Sequence, residues 1–246
     1  VYRQMLKGAP RLDLPALRHG LSAGEKLPAA VREAFEAATR RPIFEAYGMS
    51  ECSTFISGCP ERPAAPGTLG QPQEGRRVAI LGPEGPLPAE QPGTIAVHRS
   101  DPGLMLGYFG DPEGTAARFQ GDRFLIGDQG VMDRAGQITY LGRGDDMMNA
   151  GGFRVSPLEV EAVLLEHPGI EAVGCAGVAV KQAVSVIGAF YAGPAALPEE
   201  DLAAFAEDRL ARYKQPRLYR HLPALPTGAN GKLQRRALRQ LWKEQE

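Results

Sequence analysis

The chain has 246 residues, 43% of them apolar and 23% charged, with 28 basic and 29 acidic side chains. That length buries roughly three quarters of the unfolded surface, enough for two modest cores, and no apolar run approaches the roughly 20 residues of a membrane span. The near balance of charge argues against a general nucleic-acid partner, and Cys52, Cys59 and Cys175, which show no metal-like clustering, indicate neither a disulfide framework nor a zinc site and fit a reducing cytoplasm.

In chain order, short strands are predicted near residues 17–21 and 42–46, on either side of a helix whose Val31, Ala34, Phe35 and Ala38 share one face. This is a βαβ-like layer. Its second strand runs into Tyr47-Gly48-Met49-Ser50-Glu51, a glycine turn with a hydroxyl and a carboxylate side by side. From residue 67 to 142 the character changes to short strands at 78–81, 94–97 and 137–141, separated by Gly, Pro and Asp turns, a small β-rich, barrel-like unit. The stretch Gly142-Arg143-Gly144-Asp145-Asp146 through Gly151-Gly152-Phe153-Arg154 carries more charge than a plain turn needs, and its glycines permit backbone angles that a side chain forbids. Ser156, Pro157 and Glu159 form a capping box, so a helix starts there and runs to about residue 167. Strands at 171–180 and 185–192 and a helix over 198–210 follow, a compact α+β pattern. Residues 212–230 hold three prolines and read as an extended arm. It leads to Leu225-Pro226-Thr227-Gly228-Ala229-Asn230-Gly231-Lys232, a glycine-rich loop with one lysine at its tip. Between Arg209 and Lys243 there are ten Lys or Arg residues and no Asp or Glu, a basic end that favours a phosphate-rich ligand; Arg239 and Lys243 read as a solvated helix face.

Taken in order, these segments closely resemble the adenylate-forming superfamily of acyl- and aryl-CoA synthetases, peptide-synthetase adenylation domains and luciferases. Ser22-Ala23-Gly24-Glu25, Phe124-Leu125-Ile126-Gly127-Asp128 and the Gly-Tyr, Pro-Glu, Thr and Phe spacing of residues 107–119 carry the same resemblance. It covers nearly the whole chain. The fold it implies is the end of a large domain over residues 1–144, with an α/β piece at 1–66 and a small distorted β-barrel at 67–144, followed by a small mobile α+β domain at 145–246. Members of the family also carry an upstream Ser/Thr/Gly-rich phosphate loop ending in lysine. Nothing before Tyr47 matches it, so the expectation is a C-terminal portion whose N-terminal part belongs to the same polypeptide.

Making an acyl adenylate requires a carboxylate to attack the α-phosphorus of ATP, and preorganised cations stabilise the charge that develops. The resemblance implies that Lys232 bridges the carboxylate and phosphate oxygens, that Glu51 holds Mg²⁺ on the phosphates, and that Ser50 meets the α-phosphate. Tyr47 offers a flat face to adenine, the alternative for that ring being a place in the core, and Gly24-Glu25 would cover the other side of the base. Asp128 and Arg143 would hold the ribose. Asp145 matches the hinge about which the small domain turns, Gly151 and Gly152 would line the channel for the pantetheine of coenzyme A, and Arg154 resembles a phosphate contact. His19, His98, His167 and His221 read as structural or surface residues. The expected activity is ATP-dependent acyl- or aryl-CoA ligation of a small carboxylic acid in the cytoplasm, and a homodimer is compatible with it. The alternatives are an adenylation domain loading a carrier protein and a non-catalytic nucleotide- or CoA-binding module.

Overall fold

The structure, a computed structural model, describes residues 1–7, 12–24, 27, 29–181, 184–228 and 231–243. The chain divides into two compact units, Val1–Tyr140 and Leu141–Glu246. The division lies inside a strand, a few residues before Asp145. Leu141, in the second unit, accepts the Ser156 hydroxyl at its carbonyl at 2.6 Å.

In the first unit, after α1 (Tyr2–Leu6), β1 (Gly20–Ala23) and β2 (Ile43–Met49) pair in parallel across α2 (Ala29–Thr39), as the βαβ pattern predicts. Leu27, Phe35 and Ile43 form the core beneath that crossover, with Tyr2 edge-on to Phe35. Two antiparallel strands, β3 (Ser53–Ser57) and β4 (Gln71–Pro72), extend this sheet. A second sheet is built from β5 (Val78–Gly82), β6 (Gly85–Pro86), β7 (Pro92–His98), β8 (Phe119–Gln120), β9 (Arg123–Met132) and β10 (Ile138–Arg143), with α3 (Pro112–Ala116) inserted between β7 and β8. Its order is β10-β9-β7-β5-β6 with β8 on β9, and the sheet curls into a half-barrel, in line with the expected distorted barrel. Phe55 and Ile56 of β3 meet Ile80, Ile95, Phe124, Ile126 and Ile138 in one core between the sheets. Burying each such side chain is worth about 1.5–3 kcal/mol.

The second unit opens with a hairpin, β11 (Met148–Ala150) and β12 (Phe153–Val155), turning at the two glycines. Then comes α4 (Pro157–Leu164), which ends three residues short of the expected stop. Ser156 Oγ accepts the Glu159 N–H at 3.4 Å, but the Glu159 carboxylate takes the Lys214 ammonium, so the reciprocal half of the capping box is replaced by an ion pair. β13 (Ala172–Lys181) and β14 (Val184–Ala192) pair antiparallel. After α5 (Glu199–Glu207) and a 3₁₀ turn at Arg212–Lys214, β15 (Leu218–His221) adds to β14 in parallel, within the segment expected to be an extended arm. Four residues between prolines leave too little periodicity to mark that strand. One face of the sheet packs Val173, Cys175, Ile187 and Ala189 against Val160, Leu164 and Leu202 of α4 and α5. The other packs Ala176, Val178 and Phe190 against Leu238 of α6 (Arg235–Lys243). Gly174 permits that approach, since a Cβ there would fall 2.7 Å from Leu233 and 2.9 Å from Leu238. Among the described residues no helix is long and apolar enough to cross a membrane.

Candidate functional site

In the first unit the site grows from the turn between β2 and β3. Register slips between Tyr47 and Gly48, and an added Cβ at Gly48 would sit 2.2 Å from the Ser53 carbonyl oxygen, so only glycine lets the strands close this tightly. The turn presents Ser50, exposed, and Glu51, half-buried. The Glu51 carbonyl accepts Met105 N–H at 2.7 Å and its Oε1 accepts the Tyr108 hydroxyl at 2.9 Å. Desolvation first, then the hydrogen bond and charge of Glu51, raise the Tyr108 phenol above its ordinary range. Tyr108 is held in turn by Thr115, whose Oγ1 accepts the Tyr108 N–H at 2.8 Å and donates to the Asp111 carbonyl, while Asp111 caps α3. The spacing of residues 107–119 thus has a physical purpose. It builds a bracket that delivers a phenol to Glu51, a residue that the sequence reading passed over because nothing in the motif named its partner.

Asp128 lies on β9, where Phe124 and Ile126 point into the core, and it breaks that apolar row with a carboxylate 8% exposed. The Tyr47 hydroxyl donates to its Oδ2. The Tyr47 ring packs edge-on to Phe55 at 5.4 Å and tilted to Tyr140 at 5.6 Å, against the core between the sheets. The ring thus packs as core, and its hydroxyl orients the candidate ribose-binding carboxylate. Gly24 takes φ +91° beyond β1, a left-handed turn that suits glycine. Glu25 lies outside the described residues. Cys52, next to Glu51, is fully buried, and desolvation, then the Glu51 charge, push its thiol up to about 12.

In the second unit Gly151 and Gly152, at φ +57° and +85°, form the two-residue turn of the β11–β12 hairpin, where positive φ at both positions is what a type I′ turn needs. Phe153 follows, 56% exposed and stacked on Tyr213 at 4.5 Å. Arg154 donates from Nη2 to the Gly144 carbonyl at 3.1 Å, and Arg143 Nε lies 3.6 Å from the exposed Asp145 carboxylate. Lys232 is exposed on a loop closed by the Thr227–Leu233 bridge, by Gly228 N–H donating to the Lys232 carbonyl at 2.8 Å, and by Gln234 N–H donating to Pro226. Asn230 lies outside the described residues.

Immediately after that loop, Arg235 Nη2 donates to both oxygens of Glu161 at 2.7 Å, and its Nη1 approaches Asp146 at 3.9 Å. Glu161 is buried and also accepts the Cys175 N–H at 2.7 Å. Arg239, expected on a solvated face, instead reaches the Asp145 carbonyl at 3.2 Å and the Asp146 carboxylate at 3.4 Å, because α6 lies beside the segment after β10. The network joins three stretches far apart in sequence, which is why spacing along the chain could not reveal it. His98 bridges Asp122 and Ser100 at 2.7 Å each, His167 Nδ1 accepts Gly169 N–H, and His221 meets the Gly193 carbonyl, structural roles as expected.

Residues 1–109 match the AMP-binding enzyme family, and residues 159–232 match the AMP-binding enzyme C-terminal domain. An uncharacterized acyl-CoA ligase of Bacillus subtilis is 33% identical over 97% of this chain and 46% of its own length. A long-chain-fatty-acid–CoA ligase of the same organism is 37% identical over 92% of this chain and 41% of its own. The solved o-succinylbenzoate–CoA synthetase of Bacillus subtilis in complex with ATP and magnesium ion superimposes with a TM-score of 0.82 at 28% identity, covering 96% of this chain and 49% of the synthetase. The chain thus spans less than half the length of these curated relatives.

Proposed function

We propose that this chain, which belongs to the AMP-binding enzyme family, is the part of an ATP-dependent acyl- or aryl-CoA ligase that supplies the ribose carboxylate, the metal-binding glutamate and the mobile lysine. The observation that carries the reading is Asp128, a carboxylate held by Tyr47 on the core-facing side of a strand, where alternation calls for an apolar residue. Two oxygens at one spot suit the paired hydroxyls of a ribose. Mg²⁺ fits Glu51: hard cations on nucleotides take one or two carboxylates plus phosphate oxygens, and a bound ion would neutralise charge on the phosphates.

In the first half-reaction the substrate carboxylate oxygen bonds to the α-phosphorus and the bond to pyrophosphate breaks. Lys232, on a loop braced by its own backbone hydrogen bonds, supplies a cation to the oxygens that gain charge. In the second, the sulfur of CoA attacks the acyl carbon, the bond to AMP breaks, and the thiol proton leaves to solvent. The hinge role of Asp145, the channel role of Gly151 and Gly152, the ribose contact of Arg143 and the phosphate contact of Arg154 complete the proposal. The free cysteines are in keeping with a cytoplasmic location.

The test joins this chain to the amino-terminal part of the long-chain ligase relative and follows carboxylate-dependent pyrophosphate exchange. Lys232→Ala should lower exchange at least ~100-fold, about 2.7 kcal/mol, while thioester formation from supplied acyl adenylate persists. Equal losses in both half-reactions would make Lys232 a structural residue. Turnover with a carrier-bound pantetheine thiol but not with free CoA would replace the ligase reading by the carrier-loading one.

A further inference from the structure

The turn that carries Glu51 is gripped from outside its own strand pair. Arg76, just before β5, is a nearly buried arginine, its side chain 10% exposed, and it lies 2.9 Å through Nε from Asp101, whose side chain is fully buried. Its Nη1 donates to the Thr54 carbonyl at 2.9 Å and its Nη2 to the Cys52 carbonyl. Those carbonyls flank Ser53, a residue other than glycine held at φ +56°, in the left-handed region that L side chains avoid. Asp101 is itself pinned by the N–H groups of Arg77 at 2.7 Å and Gly103 at 2.9 Å. A Cβ on Gly103 would fall 2.4 Å from Arg76 Nη1, so the glycine makes room for the guanidinium. A second path leads from Asp101 to the same turn: its carbonyl accepts Leu104 N–H at 3.2 Å, and the next residue, Met105, donates to the Glu51 carbonyl at 2.7 Å.

We propose that Arg76, oriented by Asp101, is a positioning residue: by bridging the carbonyls on either side of Ser53 it holds the left-handed kink and thereby aims the Glu51 carboxylate at the metal and phosphates. Its link to Mg²⁺ rests on the ligase reading; the clamp itself does not. Nothing in the bare stability of a buried ion pair requires this arrangement, since an apolar side chain of similar volume often serves a core as well. What an apolar side chain lacks is a fork that spans two carbonyls.

Two measurements decide it. In this chain, Arg76→Met should raise the rate of Cys52 alkylation by iodoacetamide, followed by peptide mass mapping, at least ~10-fold, with the fully buried Cys175 still protected. A Cys52 that stays protected overturns the clamp. In the joined ligase, Arg76→Met should raise the Mg²⁺ concentration for half-maximal pyrophosphate exchange about 10-fold, leave thioester formation from supplied adenylate unchanged, and be largely rescued by Ser53→Gly, which removes the need to hold a left-handed serine. A proportional fall in both half-reactions, or no rescue by Ser53→Gly, overturns the positioning role. Should Arg76→Met fail to fold, Gly103→Ala displaces the guanidinium while keeping its charge, and the same outcomes apply. A joined parent without any exchange defeats the ligase reading, and the alkylation result then still decides the clamp.

Discussion

Arg76 in the first unit and Arg235 in the second each sit against a nearly buried carboxylate, Asp101 and Glu161, yet direct their remaining hydrogen bonds differently. Arg76 turns to two backbone carbonyls of one short turn and so fixes a local shape. Among the described residues Arg235 turns to side chains, and with Arg239 it ties the helix after the Lys232 loop to α4 and to Asp145-Asp146. The difference is one of reach. A fork on neighbouring carbonyls holds one residue's conformation, while a network of side chains holds distant segments of the chain together. Each also stands beside a proposed functional element, the Glu51 turn in one case and the lysine loop in the other.

The strongest way to break the comparison is Arg235→Met. It leaves the Glu161 carboxylate buried without its main cation, and a loss of about 3–5 kcal/mol is expected from such a broken buried pair. The pH dependence carries the sign. Burial, the largest influence, raises the Glu161 carboxyl above its ordinary value of 4.5, and Arg235 opposes the rise. The folded state therefore takes up a proton at higher pH than the unfolded chain, so stability from this group is full below 4.5 and declines as pH climbs through the raised folded value. Without Arg235 that decline deepens. Thermal unfolding of Arg235→Met should show a larger deficit near pH 7 than at about pH 4; a deficit independent of pH would mean that Arg235 contributes by packing alone.

A smaller effect sharpens the picture of how the second unit is anchored. Ser156→Ala removes the cap of α4 and the hydroxyl donated to Leu141, and should cost about 0.5–2 kcal/mol in chemical unfolding. An unchanged denaturation midpoint would show that the Glu159–Lys214 pair alone sets the start of α4. The smallest effect is a control. Arg134 and Glu90 form an ion pair at 3.2 Å with side chains 82% and 59% exposed, and Arg134→Ala should shift stability by less than about 0.5 kcal/mol. A shift like that of Arg235→Met would remove burial as the reason the two kinds of pair differ.

Much of the site was readable from local pattern. Tyr47, Ser50 and Glu51 were marked by a glycine turn with polar neighbours, Ser156 and Pro157 by capping chemistry, and Lys232 by its glycine loop. Tyr108 was visible only as part of a spacing, Arg76 and Arg235 not at all, because the partners that give them meaning lie 22 to 74 residues away in sequence.

The sequence by itself determined the turn at Gly48, the start of α4, the loop around Lys232 and the family to which they point, since glycine angles, helix caps and alternation are short-range physics acting within a few residues. Only the tertiary structure decided that Asp128 meets Tyr47, that Tyr108 meets Glu51, that β15 joins β14 in parallel, and that Arg239 turns to Asp145 and Asp146. Each of these is a pairing across a long stretch of chain, selected by which faces bury together and which charges need partners once water is excluded, and no window of neighbouring residues carries that information.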